Sequence, residues 1–400
     1  MIPHKMIHLC LAHPSGKELD YIRQAFEEDW IAPLGPNVDG FEEDLKSFLG
    51  GNREVLAVSS GTAAVHLGLI GCGVGPDDEV IAQSFTFCAS VNPILYQGAK
   101  PILVDSEKDT WNMDPYLLEE AISDRIAKTG RVPKAIVPVS LYGMPYRIDR
   151  ILEIADRYGI PIVEDSAEAL GSRFNGQALG TFGRFGVLSF NGNKMITTSG
   201  GGALICPDPE TKARMLHFAT QARESFPFYQ HEDLGYNYRM SNICAGIGRG
   251  QMQVVNEHIA HHRRLAQLYA DLLKDSPGIQ VHANPAPEIE SNFWLSTLTL
   301  DPQLHVRGQE TLPRDWSEIT CAPNANVEAL RLQLNQAGIE TRPLWKPTHL
   351  QPLYKDAPFY GGPELVSESL FKTGLCLPSG PRVSEEDVRF ICNMIGNLCQ

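Results

Sequence analysis

The sequence predicts an α/β fold in which a mainly parallel seven-stranded sheet is followed by a smaller α+β C-terminal domain. Short β-rich runs recur through the first 210 residues, and helix-like stretches such as TAAVHLGLIGCG and RILEIADRYG separate most of them. This alternation is typical of parallel strands joined by helices. The runs are EVLAVSS, EVIAQ, PILVD, AIVPVS, PIVED, GVLSF and GALIC. Only a short glycine-rich segment joins GVLSF to GALIC, which predicts an antiparallel pair there.

The C-terminal part of the chain has a different pattern. From about Asn256 onwards it contains the long helical patterns HIAHHRRLAQLYADLLKD, NVEALRLQLNQAG and SEEDVRFICNMIGNLC, with two strand-like pieces between the first and the second. A chain of 400 residues exceeds what one hydrophobic core usually serves. We therefore predict a large domain over residues 15–250 and a small domain over residues 251–400, with a loop insertion at the polar stretch from Arg307 to Ser317.

Composition excludes several classes of protein. The formal net charge of −14 would repel a phosphate backbone, so nucleic acid is not expected as a partner. The nine cysteines form no CxxC pair and no zinc-like spacing with histidine, which predicts reduced thiols and no metal site. The sequence contains neither a secretory signal pattern nor a run approaching the ~20 apolar residues of a membrane span. We therefore expect a cytoplasmic protein.

The first candidate site follows the strand EVLAVSS, because ligands of parallel α/β sheets bind beyond the carboxyl ends of the strands. There the segment SSGTAA, residues 59–64, runs from a strand end straight into a helix. Its small residues leave backbone N–H groups free to face a phosphate. An ordinary N-capped helix is the alternative, and for such a segment taken alone it is the more frequent one.

Two further strand ends carry charged side chains. Asp165 ends the apolar strand PIVED, where its carboxylate can pair with the protonated ring nitrogen of a pyridine cofactor. A helix N-cap is the alternative for Asp165. Lys194 lies in the glycine-rich turn SFNGNKMITTSGGG between two strands, where a lysine can hold such a cofactor as an imine and, once released, can move a proton. A surface lysine in a hairpin is the alternative for Lys194.

The phosphate-type loop, the aspartate and the lysine occur in that order, each at a strand end of one predicted sheet. Further distinctive segments are IAPLGPNV, QSFTFCASVNPI, EDSAEALGS, TQARE, GYNYRMSN and RPLWKPTH. With these motifs the chain resembles, over nearly its whole length, the DegT/DnrJ/EryC/StrS sugar aminotransferases, and within them the bacterial enzymes of the bacillosamine pathway. The resemblance implies an aspartate-aminotransferase-like (type I) fold and pyridoxal 5'-phosphate as the cofactor.

The resemblance also implies a set of cofactor contacts. Lys194 would carry the cofactor as a Schiff base, Asp165 would be the partner of its pyridine nitrogen, and Phe87 would stack on its ring. Glu168 would lie against the ring hydroxyl, at a position where many relatives have Gln or His. The residues expected around the phosphate are Gly61, Thr62, Ala63, Ser189 and, from the GYN segment of a partner subunit in a homodimer with shared active sites, Asn237.

Two segments and one further arginine resemble the substrate contacts of the family. They are Trp30, Ile31, Ala32 and Pro33 near the start, Arg239 after the GYN segment, and Arg342, Pro343, Leu344, Trp345 and His349 in the C-terminal domain. Arg342 could pair with a phosphate of a sugar nucleotide. Interdomain packing is the alternative for Trp30 and Trp345, and a polar core position is the alternative for His349.

The reaction implied by the resemblance is transfer of an amino group from L-glutamate to the 4-keto carbon of UDP-2-acetamido-2,6-dideoxy-hexos-4-ulose. The product would be UDP-4-amino-4,6-dideoxy-N-acetylglucosamine, for synthesis of a bacillosamine-type glycan. There are two alternatives. The protein could catalyse the same transamination on a dTDP-linked keto-hexose, or it could be a non-catalytic binding or regulatory protein of the same fold. A sugar dehydratase of this fold would have His in place of Lys194.

Overall fold

The computed structural model describes residues 6–312 and 321–399, and in its largest sheet seven strands from the first 206 residues are joined by a short strand from the C-terminal part. The strands up to residue 206 are β1 (Glu54–Val58), β2 (Glu79–Gln83), β3 (Lys100–Val104), β4 (Ala135–Val137), β5 (Val163–Asp165), β6 (Arg173–Phe174), β7 (Gln177–Ala178), β8 (Phe185–Ser189) and β9 (Gly202–Cys206). Seven of these strands lie in the large sheet in the order β3-β2-β4-β5-β8-β9-β1, with parallel bridges such as Val139–Asp165 joining β4 to β5. Strand β9 is antiparallel to both of its neighbours, and the other pairings are parallel. The mainly parallel sheet and the antiparallel GVLSF–GALIC pair are thus confirmed.

Helices lie on both faces of this sheet. Those up to residue 252 are α1 (Glu18–Glu27), α2 (Pro36–Phe48), α3 (Gly61–Gly71), α4 (Asn92–Tyr96), α5 (Pro115–Thr129), α6 (Ile148–Tyr158), α7 (Pro209–Ala219) and α8 (Asn242–Met252). Val80 and Ala82 of β2 pack in a core with α3 and α7, whereas Ile81 between them packs in a second core with α5 and α6. Because both faces are covered, successive strand residues are apolar and read as continuous hydrophobic runs.

Local chemistry explains where these helices begin and end. The Asp114 carboxylate accepts hydrogen bonds from the N–H groups of the first turn of α5, and Pro115 occupies the first helical position. The same helix ends at Gly130, which adopts a left-handed conformation with φ of 69°. Gly159 ends α6 in the same way, with φ of 66°, so the chain turns back into β5.

The C-terminal part forms a further core around an antiparallel sheet. The strands of this part of the chain are β10 (Ile279–Val281), β11 (Ile289–Glu290), β12 (Ser296–Leu300), β13 (Arg342–Pro343), β14 (Phe359–Tyr360) and β15 (Gly374–Leu377). Its helices are α9 (Val255–Leu273), α10 (Ala325–Gln336), α11 (Val366–Thr373) and α12 (Glu385–Leu398). Strands pair in the order β10-β12-β15-β13. Leu298 of β12 packs with Leu265 of α9, Leu330 of α10 and Ile391 of α12, all fully buried. The predicted α+β character of this part is confirmed.

Short pairings connect the two parts of the chain. Strand β14 extends the large sheet by pairing in parallel with β3, and β11 pairs with β6. Near the start, Ile7 bridges to Ile339. The predicted domain boundary between residues 250 and 251 stays a prediction, and the predicted insertion from Arg307 to Ser317 lies partly outside the described residues. None of the helices that the structure describes combines the length and the apolarity needed to cross a membrane.

Candidate active site

The N-terminus of α3 meets the ends of β8 and β9. The Ser60 hydroxyl oxygen accepts a hydrogen bond from the Ala63 N–H at 3.0 Å, so Ser60 is the N-cap. A Cβ on Gly61 would lie 3.0 Å from the Cβ of Ser189, and a Cβ on Gly202 would lie 2.4 Å from the nitrogen of Gly61. Glycine at these positions therefore allows the first residue of α3 to contact the ends of β8 and β9. The first N–H groups of a helix have no partner within it, so they can donate to an anion here.

Asp165 lies at the carboxyl end of β5 and is 4% exposed. Its Oδ2 accepts a hydrogen bond from the Ser90 hydroxyl at 2.6 Å, and its Oδ1 accepts one from the Ala167 N–H at 3.1 Å. Burial raises the pKa of the Asp165 carboxyl group, while these two hydrogen bonds and the charge of Lys194 oppose that shift. The chain continues from β5 into β6 without a helix, so the N-cap alternative for Asp165 is wrong.

Lys194 lies in the loop between β8 and β9, with 15% of its side chain exposed. Its Nζ donates a hydrogen bond to Oε1 of Glu168 at 3.1 Å and lies 3.9 Å from the centre of the Trp294 ring. Oε2 of Glu168 accepts a hydrogen bond from the Tyr142 N–H at 2.7 Å. Burial raises the pKa of Glu168, and the charge of Lys194 opposes that shift. Lys194 is thus largely buried and ion-paired, so the surface-lysine alternative is wrong.

These groups share one cavity of about 350 Å³, which is at the lower end of the range for ligand pockets. The half-exposed ring of Phe87 lies at its mouth, 5.1 Å from the ring of Trp345, which also lines the cavity. Ala63 is buried in the first turn of α3 and does not line the cavity, so its contact with the cofactor stays a prediction. The predicted cofactor contacts that line the cavity are Gly61, Thr62, Phe87, Asp165, Glu168, Ser189 and Lys194.

The segment from Trp30 to Pro33 does not line this cavity in the single chain. Asn242 holds the segment, since its Nδ2 donates to the Trp30 carbonyl at 3.0 Å and its backbone N–H donates to the Ala32 carbonyl at 2.9 Å. The side chains of Trp30, Ile31 and Pro33 are exposed. The substrate role of Trp30, Ile31, Ala32 and Pro33 stays a prediction.

Asn237 and Arg239 also lie outside the cavity. Asn237 forms an antiparallel bridge with Thr220. Arg239 donates from Nη1 to a carboxylate oxygen of Glu42 and to the Ala57 carbonyl, the latter at 3.1 Å, and 10% of its side chain is exposed. In this chain Arg239 therefore ties the segment after Asn237 to α2 and β1, and the ligand contacts of both residues stay predictions.

The segment from Arg342 to Trp345 runs from the surface to the cavity. Arg342 and Pro343 form β13, with 70% of the Arg342 side chain exposed. Leu344 is buried, and the N–H of Trp345 donates to the Tyr142 hydroxyl at 2.9 Å. Trp345 therefore lines the cavity, and contacts from Arg342, Pro343, Leu344 and Trp345 to substrate stay predictions.

His349 has protein partners at both ring nitrogens. Its Nδ1 lies 2.7 Å from the Ser84 hydroxyl, its Nε2 lies 3.4 Å from Oε1 of Glu368, and its ring stacks on Phe359 with the ring centres 3.7 Å apart. Burial lowers the pKa of His349. These contacts are those expected of a polar core position, and a substrate role for His349 stays a prediction.

Known proteins share both the sequence pattern and the fold. Residues 14–396 match the description DegT/DnrJ/EryC1/StrS aminotransferase family. The chain belongs to this family. It is 45% identical over 386 residues to the putative pyridoxal phosphate-dependent aminotransferase EpsN of Bacillus subtilis (strain 168), covering 96% of this chain and 93% of that protein. It is 36% identical to the GDP-perosamine synthase of Escherichia coli O157:H7, covering 96% of each.

A solved member of the DegT/DnrJ/EryC1/StrS family has the same architecture. The structure of a DegT DnrJ EryC1 StrS aminotransferase from Brucella abortus matches with a TM-score of 0.85 at 29% identity, covering 96% of this chain and 95% of that one. The protein is therefore a pyridoxal-phosphate-dependent sugar aminotransferase of the type I fold. Its residues fit the cofactor, because a largely buried amine, a buried carboxyl group and a glycine-lined helix N-terminus face one cavity. The non-catalytic alternative is set aside.

The residues that contact Asp165, Glu168 and Lys194 include Ser90, Tyr142 and Trp294, which were not predicted from the sequence. Ser90 and Tyr142 follow the strand ends of EVIAQ and AIVPVS, so a search of every predicted strand end for polar side chains would have found both. Trp294 lies in a strand-like piece of the C-terminal part, where an aromatic residue is typical of a core. Nothing in its neighbourhood in the sequence indicates a contact with Lys194.

Proposed function

We propose that the protein transfers the amino group of L-glutamate to the 4-keto carbon of UDP-2-acetamido-2,6-dideoxy-hexos-4-ulose. The observation that carries the chemistry is that Lys194, Asp165 and the N-terminus of α3 line one cavity. The resemblance of IAPLGPNV and RPLWKPTH to bacillosamine-pathway enzymes supports a UDP-linked, N-acetylated sugar. The product is then UDP-4-amino-4,6-dideoxy-N-acetylglucosamine, for a bacillosamine-type glycan. The nine free cysteines support a cytoplasmic location for this step.

Each group in the cavity has a separate task in this proposal. Pyridoxal phosphate, when bound, supplies an electron-withdrawing ring that makes the C–H bond beside the reacting nitrogen acidic. The N–H groups at the start of α3 bind phosphate, and the Asp165 carboxylate stabilises positive charge at the ring nitrogen. Lys194 anchors the cofactor and, when released, holds and moves a proton at Nζ.

Glu168 orients the amine of Lys194. One carboxylate oxygen lies 3.1 Å from Nζ, while the other is held by the Tyr142 N–H at 2.7 Å, so the carboxylate cannot follow the amine. At the mouth of the cavity, the rings of Phe87 and Trp345 cover the site and reduce the access of water. The amine of Lys194 is thereby held inside the cavity that Asp165 and the start of α3 also line.

The proposal also specifies the nucleotide of the substrate, for which there are other candidates. A GDP-linked keto-hexose is the second candidate, because the chain is 36% identical over 386 residues to a GDP-perosamine synthase. A dTDP-linked keto-hexose has the same reacting carbonyl group, so the catalytic residues serve it equally.

A product assay separates these candidates. Purified protein is incubated with pyridoxal phosphate, L-glutamate and the UDP-, GDP- or dTDP-linked keto-sugar, and 2-oxoglutarate and the mass of the sugar nucleotide are measured. The proposal expects the amino sugar from the UDP-linked ketone and none with Lys194→Ala. Product from the GDP- or dTDP-linked ketone alone would contradict the proposed nucleotide and support the proposed transamination. No product from any of the three would contradict the proposed reaction.

We further propose that Asn237 completes the active site of a second copy of the chain. Asn237 lies outside the cavity of its own chain, and Tyr236 and Tyr238 beside it stack at 5.1 Å between ring centres, which gives the segment a defined shape. The nearby loop exposes Phe228 and Leu234, as expected of a surface that another copy covers.

Mixing two inactive variants tests this arrangement. Lys194→Ala keeps Asn237, and Asn237→Ala keeps Lys194, so a mixed dimer contains one site with both residues. Activity should return after the two variants are unfolded and refolded together, and each variant refolded alone should stay inactive. An equally inactive mixture, shown by native mass spectrometry to contain mixed dimers, would contradict a shared site.

A further inference from the structure

Trp294 contacts both the amine and the backbone of the lysine loop. The centre of its ring lies 3.9 Å from Nζ of Lys194, within the distance at which the negative face of an indole attracts a cation. Its indole N–H donates a hydrogen bond to the carbonyl oxygen of Asn193 at 2.6 Å. One side chain from the segment between β11 and β12 therefore contacts the lysine loop at two points, the amine of Lys194 and the carbonyl of Asn193.

The position of Trp294 is itself tightly determined. Trp294 is 2% exposed, and its backbone N–H donates to Oδ1 of Asn292 at 2.8 Å. The Asn292 amide group donates in turn to the carbonyls of Glu168 at 2.9 Å and Leu170 at 3.0 Å. Asn292 thus ties the indole to the chain segment of Glu168, so the ring and the carboxylate are held in a constant relation to each other.

We infer that Trp294 is a positioning residue of the reaction, which holds the ammonium group of Lys194 against the Glu168 carboxylate through the face of its ring. A single carboxylate contact leaves two of the three ammonium protons without an acceptor, and the indole face provides a second attraction. The other ionisable groups near Lys194 are Asp165 and the Cys10 thiol, which also contacts Trp294. The inference rests on the aminotransferase role of Lys194 and is independent of the nucleotide in the substrate.

The amine of Lys194 can be probed directly in the cofactor-free, full-length protein. Acetic anhydride acylates only the neutral amine, so the pH dependence of labelling, measured by peptide mass spectrometry, reports the protonation of Lys194. Trp294→Leu keeps the site apolar but removes the ring face, and we expect its labelling midpoint to fall by about 0.5 to 1.5 pH units. Trp111→Leu is the matched control, because that buried indole stacks on His282 outside the cavity. Its midpoint should equal that of the wild type.

Equal midpoints in Trp294→Leu and the wild type would overturn the inference. If Trp294→Leu does not fold, Trp294→Phe tests the positioning role, because it keeps a ring face and loses the hydrogen bond to Asn193. Its midpoint should fall by less, and its kcat should fall by about tenfold at an unchanged KM for the keto-sugar. An unchanged kcat and midpoint in Trp294→Phe would also overturn the inference. Since labelling requires neither cofactor nor sugar, its result is separate from that of the product assay.

Discussion

Glu168 and Lys194 form an ion pair inside the cavity, with Oε1 and Nζ 3.1 Å apart and only 6% and 15% of the two side chains exposed. Taking a carboxylate out of water is costly, and one lysine does not fully compensate for it, which is why burial raises the pKa of Glu168 despite the pair. The site therefore contains a buried charged pair whose desolvation costs stability. Such arrangements are typical of catalytic cavities.

Replacement of Glu168 by Gln tests this charge balance. The folded pKa of Glu168 lies above its ordinary value of 4.5, so its contribution to stability is complete below that value and is lost as the pH rises through the folded pKa. Gln keeps the shape and does not titrate. Urea unfolding of cofactor-free protein should therefore show that the variant gains stability relative to the wild type as the pH rises above 4.5. A relative loss over that range would refute the assignment.

Asp165→Asn and Ser90→Ala separate the charge of Asp165 from its hydrogen bond. Asn removes the carboxylate, and we expect kcat to fall by about tenfold to a hundredfold at every pH. Ser90→Ala removes the hydroxyl that lowers the pKa of Asp165, so that pKa rises further. The acid limb of the pH–rate profile should then move to higher pH, with activity recovering on the alkaline side. An identical profile in both variants would show that the charge is not the deciding property.

Gly202→Ala tests the close approach of β9 to the start of α3. The added Cβ would lie 2.4 Å from the nitrogen of Gly61, so the backbone must shift. We expect a loss of about 1–3 kcal/mol in the free energy of unfolding, together with weaker binding of pyridoxal phosphate. Gly192→Ala is the matched control, because a Cβ there meets no atom within 4 Å and Gly192 does not line the cavity. Equal stability of the two variants would contradict the packing described.

Arg239→Met tests whether Arg239 has a structural role. Its partner Glu42 is buried and also accepts a hydrogen bond from the Ala57 N–H at 2.8 Å. Without Arg239, the buried Glu42 keeps Lys212, whose Nζ lies 2.9 Å from its Oε2, but loses one charged partner, so we expect a loss of about 1–3 kcal/mol in urea unfolding. A variant as stable as the wild type, with a raised KM for the keto-sugar, would instead place Arg239 in the substrate site.

Arg342→Met is expected to behave in the opposite way. The Arg342 side chain is 70% exposed and its Nη2 lies 3.2 Å from Oε1 of Glu340, a surface pair whose loss should change stability by less than about 0.5 kcal/mol. If Arg342 binds a phosphate of the sugar nucleotide, KM for that substrate should rise by about tenfold or more. The KM of Arg342→Lys, which keeps the charge, should lie between that of the wild type and that of Arg342→Met. An unchanged KM in Arg342→Met would remove Arg342 from the substrate site.

The large sheet and the positions of Asp165 and Lys194 at strand ends were predictable because their signals are local. Each of the seven strands is a short apolar run, and Asp165 and Lys194 follow such runs directly. Strand β14 was not predicted, since two residues, Phe359 and Tyr360, are too few to show an alternation. It exists because the edge of β3 offers unpaired backbone groups.

The contacts that modify the site could not be predicted, because they join distant parts of the chain. Arg239 meets Glu42 at a separation of 197 residues, and Trp294 meets Asn193 at a separation of 101 residues. In the sequence, Arg239 is equally compatible with a phosphate contact and with an ion pair. The ion pair forms because the folded chain brings α2 against the segment after Asn237.

The most direct test of the central claim, that Lys194 carries out transamination in this cavity, is the visible absorption spectrum of the purified protein. We predict that the band of lysine-bound pyridoxal phosphate appears with the cofactor, disappears with L-glutamate and returns with the UDP-linked keto-sugar. Lys194→Ala should show no such band, whereas Lys108→Ala, which removes an exposed lysine paired with Glu364, should match the wild type. A band that persists in Lys194→Ala, or that L-glutamate leaves unchanged in the wild type, would contradict the claim.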